Sequence, residues 1–156
     1  MTVVDPRQRL AELGLDLPNV TPPLAAYVPA VRTGDHVYVS GQLPMIDGKL
    51  VATGKVGREI APEQARDLAR RCALNAIAAV AALVDLSRVV KVVKVVGFVA
   101  SADGFTGQPG VINGASELLG EVFGEAGRHA RSAVGVSELP LGAPVEVEMI
   151  VEVAPN

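Results

Sequence analysis

Val145-Glu146-Val147-Glu148-Met149-Ile150-Val151-Glu152-Val153 is a run of near-strict alternation. Successive side chains of a strand point to opposite faces, so Val145, Val147, Met149, Val151 and Val153 share one face. Glu146, Glu148, Ile150 and Glu152 share the other. The first face is built for a core. The second carries carboxylates that need water or a partner. The stretch therefore describes a sheet with one covered face, and the covering elements stand upstream. Residues 61–83 form the clearest helix. Pro62 and Glu63 suit its first turn, and Ala65, Leu68, Ala69, Cys72, Ala76, Ala79, Val80 and Leu83 recur at spacings of three and four. Residues 111–126 repeat the pattern through Ile112, Ala115, Leu118, Leu119, Val122 and Phe123, with Gly127 as the expected stop.

The remaining runs are strands. Residues 89–100 are rich in Val, and residues 131–137 form a short apolar run. Residues 27–33 and 36–42 flank Thr33-Gly34-Asp35 and read as a hairpin. Asp47-Gly48 is a second turn dipeptide, and residues 49–52 are expected to add a third short strand. The order is β-β-(β)-α-β-α-β-β, an α+β domain with two helices on one face of a mixed sheet. The half-polar second face of a Val-rich sheet points to a subunit interface and hence an oligomer. At the N-terminus, Asp5, Pro6 and Gly14 bracket a short helix, and Leu17-Pro18-Asn19-Val20-Thr21-Pro22-Pro23 reads as an extended linker. Residues 1–23 are thus expected to be an appendage to a domain spanning 24–156.

Composition narrows the function. The 156 residues are 49% apolar and 20% charged, which fits one ordered domain. No apolar run is long enough to span a bilayer, and Asp5 and Arg7 interrupt any secretory signal. A single cysteine, Cys72, fits a reducing cytoplasm. Net charge is −3 and aromatic residues are 3%, so neither a basic patch nor a stacking platform favours nucleic acid. The two histidines, His36 and His129, lack metal-site spacing and read as ordinary strand-end residues, so no metal is expected. Cys72 sits on the apolar stripe of its helix, where a thiol acts as a small hydrophobe. Gly104, Gly107 and Gly110 do not make a phosphate-binding loop. Ser40 has neither a neighbouring histidine nor a nucleophile-elbow motif. Taken alone, Arg131 reads as an exposed arginine or as a planar cation fixed on a strand to hold a carboxylate. Glu146 reads as part of a solvated face or as a carboxylate that activates water.

Together these segments resemble a known family. Tyr27-Val28-Pro29-Ala30-Val31, Val39-Ser40-Gly41-Gln42-Leu43-Pro44 and the helix bearing Asn75 resemble the Rid family, also called the YjgF or L-PSP endoribonuclease family. Ala130-Arg131-Ser132-Ala133-Val134, Glu138-Leu139-Pro140 and Val145-Glu146-Val147-Glu148 complete the likeness, which runs from Tyr27 to Ala154. The resemblance implies a chorismate-mutase-like fold and a homotrimer with ligand clefts between subunits. It implies hydrolysis of enamines and imines of small amino acids to 2-keto acids and ammonia, without a cofactor. Arg131 would hold the substrate carboxylate and Glu146 would place a water. Tyr27, Ser40, Gly41, Asn113 and Ala133 would line the pocket. The chain departs from the deaminase pattern at Ala25 and Ala26, where Gly-Pro is usual before the tyrosine, at His129, where proline is usual, and at Ala133, where cysteine or threonine is usual. A non-catalytic binder of small carboxylates is the alternative. An endoribonuclease ranks behind both on charge.

Overall fold

The computed structural model describes residues 4–20 and 26–156. The Thr21-Pro22-Pro23 part of the expected linker and Ala25 lie outside the described residues. The elements run α1 (Pro6–Glu12), β1 (Ala30–Thr33), β2 (His36–Gln42), β3 (Met45–Ile46), β4 (Lys49–Leu50), α2 (Pro62–Ala81), β5 (Val89–Ala100), α3 (Gln108–Phe123), β6 (Ala130–Val136) and β7 (Val145–Val153). Five strands make one sheet in the order β1-β2-β7-β5-β6. The β5–β6 pair is parallel and the other pairs are antiparallel, so the sheet is mixed. A parallel neighbour needs a crossover, and α3 supplies it.

The expected third strand is present but shorter than 49–52, covering Lys49–Leu50. Lys49–Leu50 pairs with Met45–Ile46 in a separate two-stranded ribbon and never joins the main sheet. The Asp47-Gly48 turn, with both residues at positive φ, closes that ribbon too early to extend it. The second helix starts before the first apolar residue of its stripe, because Pro109 serves in its first turn. It also stops sooner. Gly124, at φ 62°, takes the helix-ending role expected of Gly127, and a 3-10 turn spans Gly124–Gly127.

The alternation in β7 is realised residue by residue. Val145, Val147, Met149, Val151 and Val153 are buried under the helices, and the residues between them are half-buried on the open face. Small residues let the layers close up. A Cβ on Gly114 would stand 2.0 Å from the Arg66 carbonyl, so α3 meets α2 at backbone contact there. Arg66 and Arg70 of α2 pair with Glu117 and Glu121 of α3 across the outer rim of that contact. Ionic partners thus stand on the side of the helices away from the sheet. The N-terminal helix is docked. Asp5 caps α1, Leu10 is 3% exposed within the common core, and Arg9 Nε donates to the Glu121 carbonyl of α3 at 2.9 Å.

The second face of the sheet carries ordered rows. Val31, Tyr38, Ile150 and Lys94 stand side by side across four strands. Tyr38 and Val31 are 47% and 51% exposed, a large apolar area for a surface. No described helix is long and apolar enough to cross a membrane.

Candidate functional site

Arg131 is the second residue of β6, an edge strand, and its side chain lies on the helix-covered side. Its register partner Val95 is fully buried there. Three acceptors hold its guanidinium. Nη1 donates to Asn113 Oδ1 at 2.8 Å and to Ser116 Oγ at 3.3 Å, and Nη2 donates to the Pro109 carbonyl at 3.4 Å. All three acceptors belong to α3. A guanidinium has five N–H donors, so Nε and one Nη2 hydrogen are left over for a planar anion. Asn113 and Ser116 are three residues apart and therefore share a helix face. Ala133 follows Arg131 on the same side of β6, beside Gly97 of β5.

The sequence reading missed two members of this cluster. Ser116 Oγ lies 2.9 Å from His129 Nε2, and His129 Nδ1 lies 2.7 Å from the Gly127 carbonyl. His129 is thus a bonded neighbour of the arginine cluster, which corrects its expected role as an ordinary strand-end residue. Burial, and then the charge of Arg131, press its pKa below the ordinary histidine value against the pull of the Gly127 carbonyl. The signal was its position two residues before Arg131, just ahead of β6. Ser116, Gly127, Arg128, His129 and Arg131 line an open cleft of about 340 Å³.

Glu146 sits elsewhere. It stands on the open face of β7, opposite Phe98 of β5. A Cβ built on Gly41 would lie 2.3 Å from Glu146 Oε2, so the carboxylate rests against the bare backbone of β2. The β2–β7 register shifts between Val39 and Gln42, and that irregularity brings Ser40 and Gly41 into place. Burial first, and the neighbouring Glu148 second, push the Glu146 pKa up from the ordinary carboxylate value. Ser40 Oγ donates to the Val28 carbonyl at 2.6 Å, which ties the segment after Tyr27 to β2. Tyr27 itself is 54% exposed.

The expected residues thus fall into two groups. Arg131, Asn113 and Ala133 gather at the α3–β6 edge, and Glu146, Ser40 and Gly41 gather on the opposite face of the sheet. One chain does not bring the two groups together. Asn75 serves structure: its Nδ2 donates to the Leu43 and Met45 carbonyls at 3.0 and 3.1 Å, pinning the β3–β4 ribbon to α2. Cys72 is fully buried, and burial raises its thiol well above the usual range, so it is no thiolate nucleophile. Among the described residues no three His, Cys, Asp or Glu side chains gather as a metal site.

This distribution of residues can be compared with known proteins. A family model described as YjgF/chorismate mutase-like, with an endoribonuclease label, matches residues 7–153. The chain belongs to the YjgF/chorismate mutase-like family. Protein TCP17 of Trypanosoma cruzi is 47% identical over 145 residues, covering 92% of this chain and 91% of that one. The crystal structure of Atu1372 from Agrobacterium tumefaciens, a protein of unknown function, is 48% identical with a TM-score of 0.90. That likeness covers 96% of this chain and 92% of Atu1372. The YjgF gene product of Escherichia coli is 25% identical with a TM-score of 0.63, covering 86% and 93%. The α+β arrangement of the YjgF/chorismate mutase-like fold is therefore the fold of this chain, with its backbone nearer to the Agrobacterium protein than to the Escherichia one. Proteins of the YjgF family are usually homo-oligomers.

Proposed function

We propose that the protein is a cytoplasmic homotrimeric enamine/imine deaminase. It hydrolyses reactive imines of small amino acids to 2-keto acids and ammonia in clefts between subunits. The observation that carries this reading is Arg131, whose guanidinium is braced by three α3 acceptors while two N–H groups remain for a carboxylate. The imine carbon lies next to that carboxylate, so holding the anion also places the reacting atom. Glu146, from a neighbouring subunit in this reading, takes a proton from water as the water oxygen bonds to the imine carbon. The C=N electron pair moves to nitrogen, which takes up a proton. The resulting amino alcohol then collapses to the keto group and expels ammonia. A raised carboxyl pKa suits Glu146 to this proton traffic better than an ordinary glutamate. The exposed Tyr38 and Val31 on the open face support burial of that face in an oligomer.

The second reading, a binder of small carboxylates without turnover, is favoured by Ala133. Its methyl group offers no polar contact to a substrate held by Arg131. One assay separates the two. An amino-acid oxidase generates imines from a panel of amino acids while semicarbazide competes for them, with wild type and Arg131→Ala side by side. Faster imine loss with wild type alone supports the deaminase. Equal rates, with binding of 2-keto acids seen by calorimetry, support the binder.

A further inference from the structure

The turn between α3 and β6 carries a hydrogen-bonded chain that imine hydrolysis does not by itself require. The direction of each bond follows from chemistry. The Gly127 carbonyl only accepts, so His129 Nδ1 carries a proton. In the neutral ring Nε2 is then an acceptor, and the Ser116 hydroxyl donates to it at 2.9 Å. With its hydrogen committed, Ser116 Oγ offers a lone pair to Arg131 Nη1 at 3.3 Å. The charged groups around the ring favour its neutral form. Arg131 of β6 stands two residues after it, and Arg128 precedes it in the turn. The carboxylates on this part of α3, Glu117 and Glu121, are engaged by Arg66 and Arg70 of α2. Glu125 of the 3-10 turn lies 3.7 Å from Arg128, and both are largely exposed.

The geometric consequence falls on Arg131. Without Ser116, the guanidinium keeps one short bond, Nη1 to Asn113 Oδ1 at 2.8 Å, and one long one, Nη2 to the Pro109 carbonyl at 3.4 Å, so its plane can tilt about the short bond. The Ser116 acceptor on Nη1 restricts that tilt, and with it the direction in which the unbonded N–H groups point. We propose that His129 is a positioning residue that acts through Ser116 to hold the plane of Arg131 for a substrate carboxylate. This rests on the reading of Arg131 as the carboxylate anchor. It predicts that a histidine outside the reacting centre tunes affinity for the anion.

The test is calorimetry of the full-length protein with pyruvate as the probe. His129→Leu and Ser116→Ala each cut the chain, and each is expected to weaken pyruvate binding about 5- to 10-fold, the worth of one hydrogen bond. The double variant should bind no more weakly than either single one, because both remove the same link. In His129→Gln a side-chain carbonyl can accept the Ser116 hydroxyl, and affinity should return to within about twofold of wild type. A merely structural histidine would not be rescued in this way. Wild-type affinity in both His129→Leu and Ser116→Ala, with binding lost in Arg131→Ala, overturns the relay and leaves the anchor standing. Failure of His129→Gln to restore affinity also overturns it. Wild-type affinity in Arg131→Ala, or no pyruvate binding by the wild type, removes anchor and relay together. If His129→Leu does not fold, Ser116→Ala interrogates the same bond from the α3 side.

Discussion

If Arg131 and Glu146 serve one imine-hydrolysing site as proposed, mixing two inactive variants should restore activity, because a single chain holds them apart. Arg131 is in register with Val95 and Glu146 with Phe98, so β5 separates the two strands and three residues offset them. Two ladder spacings of about 4.8 Å and a rise of about 10 Å put the Cα atoms roughly 14 Å apart. The side chains also leave opposite faces of the sheet. In an imine acid the carboxylate carbon and the reacting carbon are one bond, about 1.5 Å, apart. In the proposed reaction, anchor and water-activating carboxylate must come within one small molecule of each other, which the proposed site meets by drawing them from two different subunits. Arg131→Ala and Glu146→Ala are each expected to lack imine hydrolysis. In a cyclic oligomer assembled at random from equal amounts of both, about one quarter of the clefts combine an intact arginine with an intact glutamate. The mixture, refolded together and assayed with oxidase-generated imines, should show about a quarter of wild-type specific activity. A second arm mixes wild type with the Arg131→Ala/Glu146→Ala double variant. Sites shared between chains leave about one quarter of the activity, and sites within a chain leave about one half. Zero activity in the first arm and one half in the second, with mixed oligomers confirmed by mass spectrometry, would refute the shared site.

Three further outcomes are expected. Gly41→Ala should displace the Glu146 carboxylate, since the new Cβ would stand 2.3 Å from Oε2. Imine turnover should fall about 10- to 100-fold while the melting temperature holds, and undiminished turnover would separate Glu146 from the chemistry. The pH–rate profile should show an acid limb above the ordinary carboxylate value, because Glu146 must be ionised to act and its pKa is raised, by burial and then by Glu148. Glu148→Gln removes one of those causes and should move the limb to lower pH; an unmoved limb assigns it to another group. Leu10→Ala, read by thermal and denaturant unfolding, should cost about 2–4 kcal/mol as a buried cavity-forming change. At this chain length that is roughly 2–4 °C of melting temperature per kcal/mol, and a loss below about 0.5 kcal/mol would mean that α1 does not share the core.

Much of the architecture was legible because it is written in periods of two and of 3.6. The β7 alternation and the α2 stripe each commit a face to the core, and a single slip would expose it. Boundaries were less legible where they depend on one residue's backbone. Gly124 and Gly127 look alike in sequence, and only the packing of the turn after α3 selects Gly124 for the positive φ. The same limit hid the separate β3–β4 ribbon. Local pattern identifies extended residues, but a strand's partners are chosen across the fold.

The site divides along the same line. Residue type alone left Arg131 and Glu146 open between surface and functional readings, and the family resemblance made them candidates. Strand alternation also determined that Glu146 and Glu148 share a face. Tertiary structure decided what sequence spacing cannot encode. The α3 crossover brings Asn113, Ser116 and the Pro109 carbonyl to one guanidinium, and the order β1-β2-β7-β5-β6 places Glu146 beside Gly41 and away from Arg131. Side-chain periodicity is a local property of the backbone, whereas strand order and helix crossing are set by burial of the whole core.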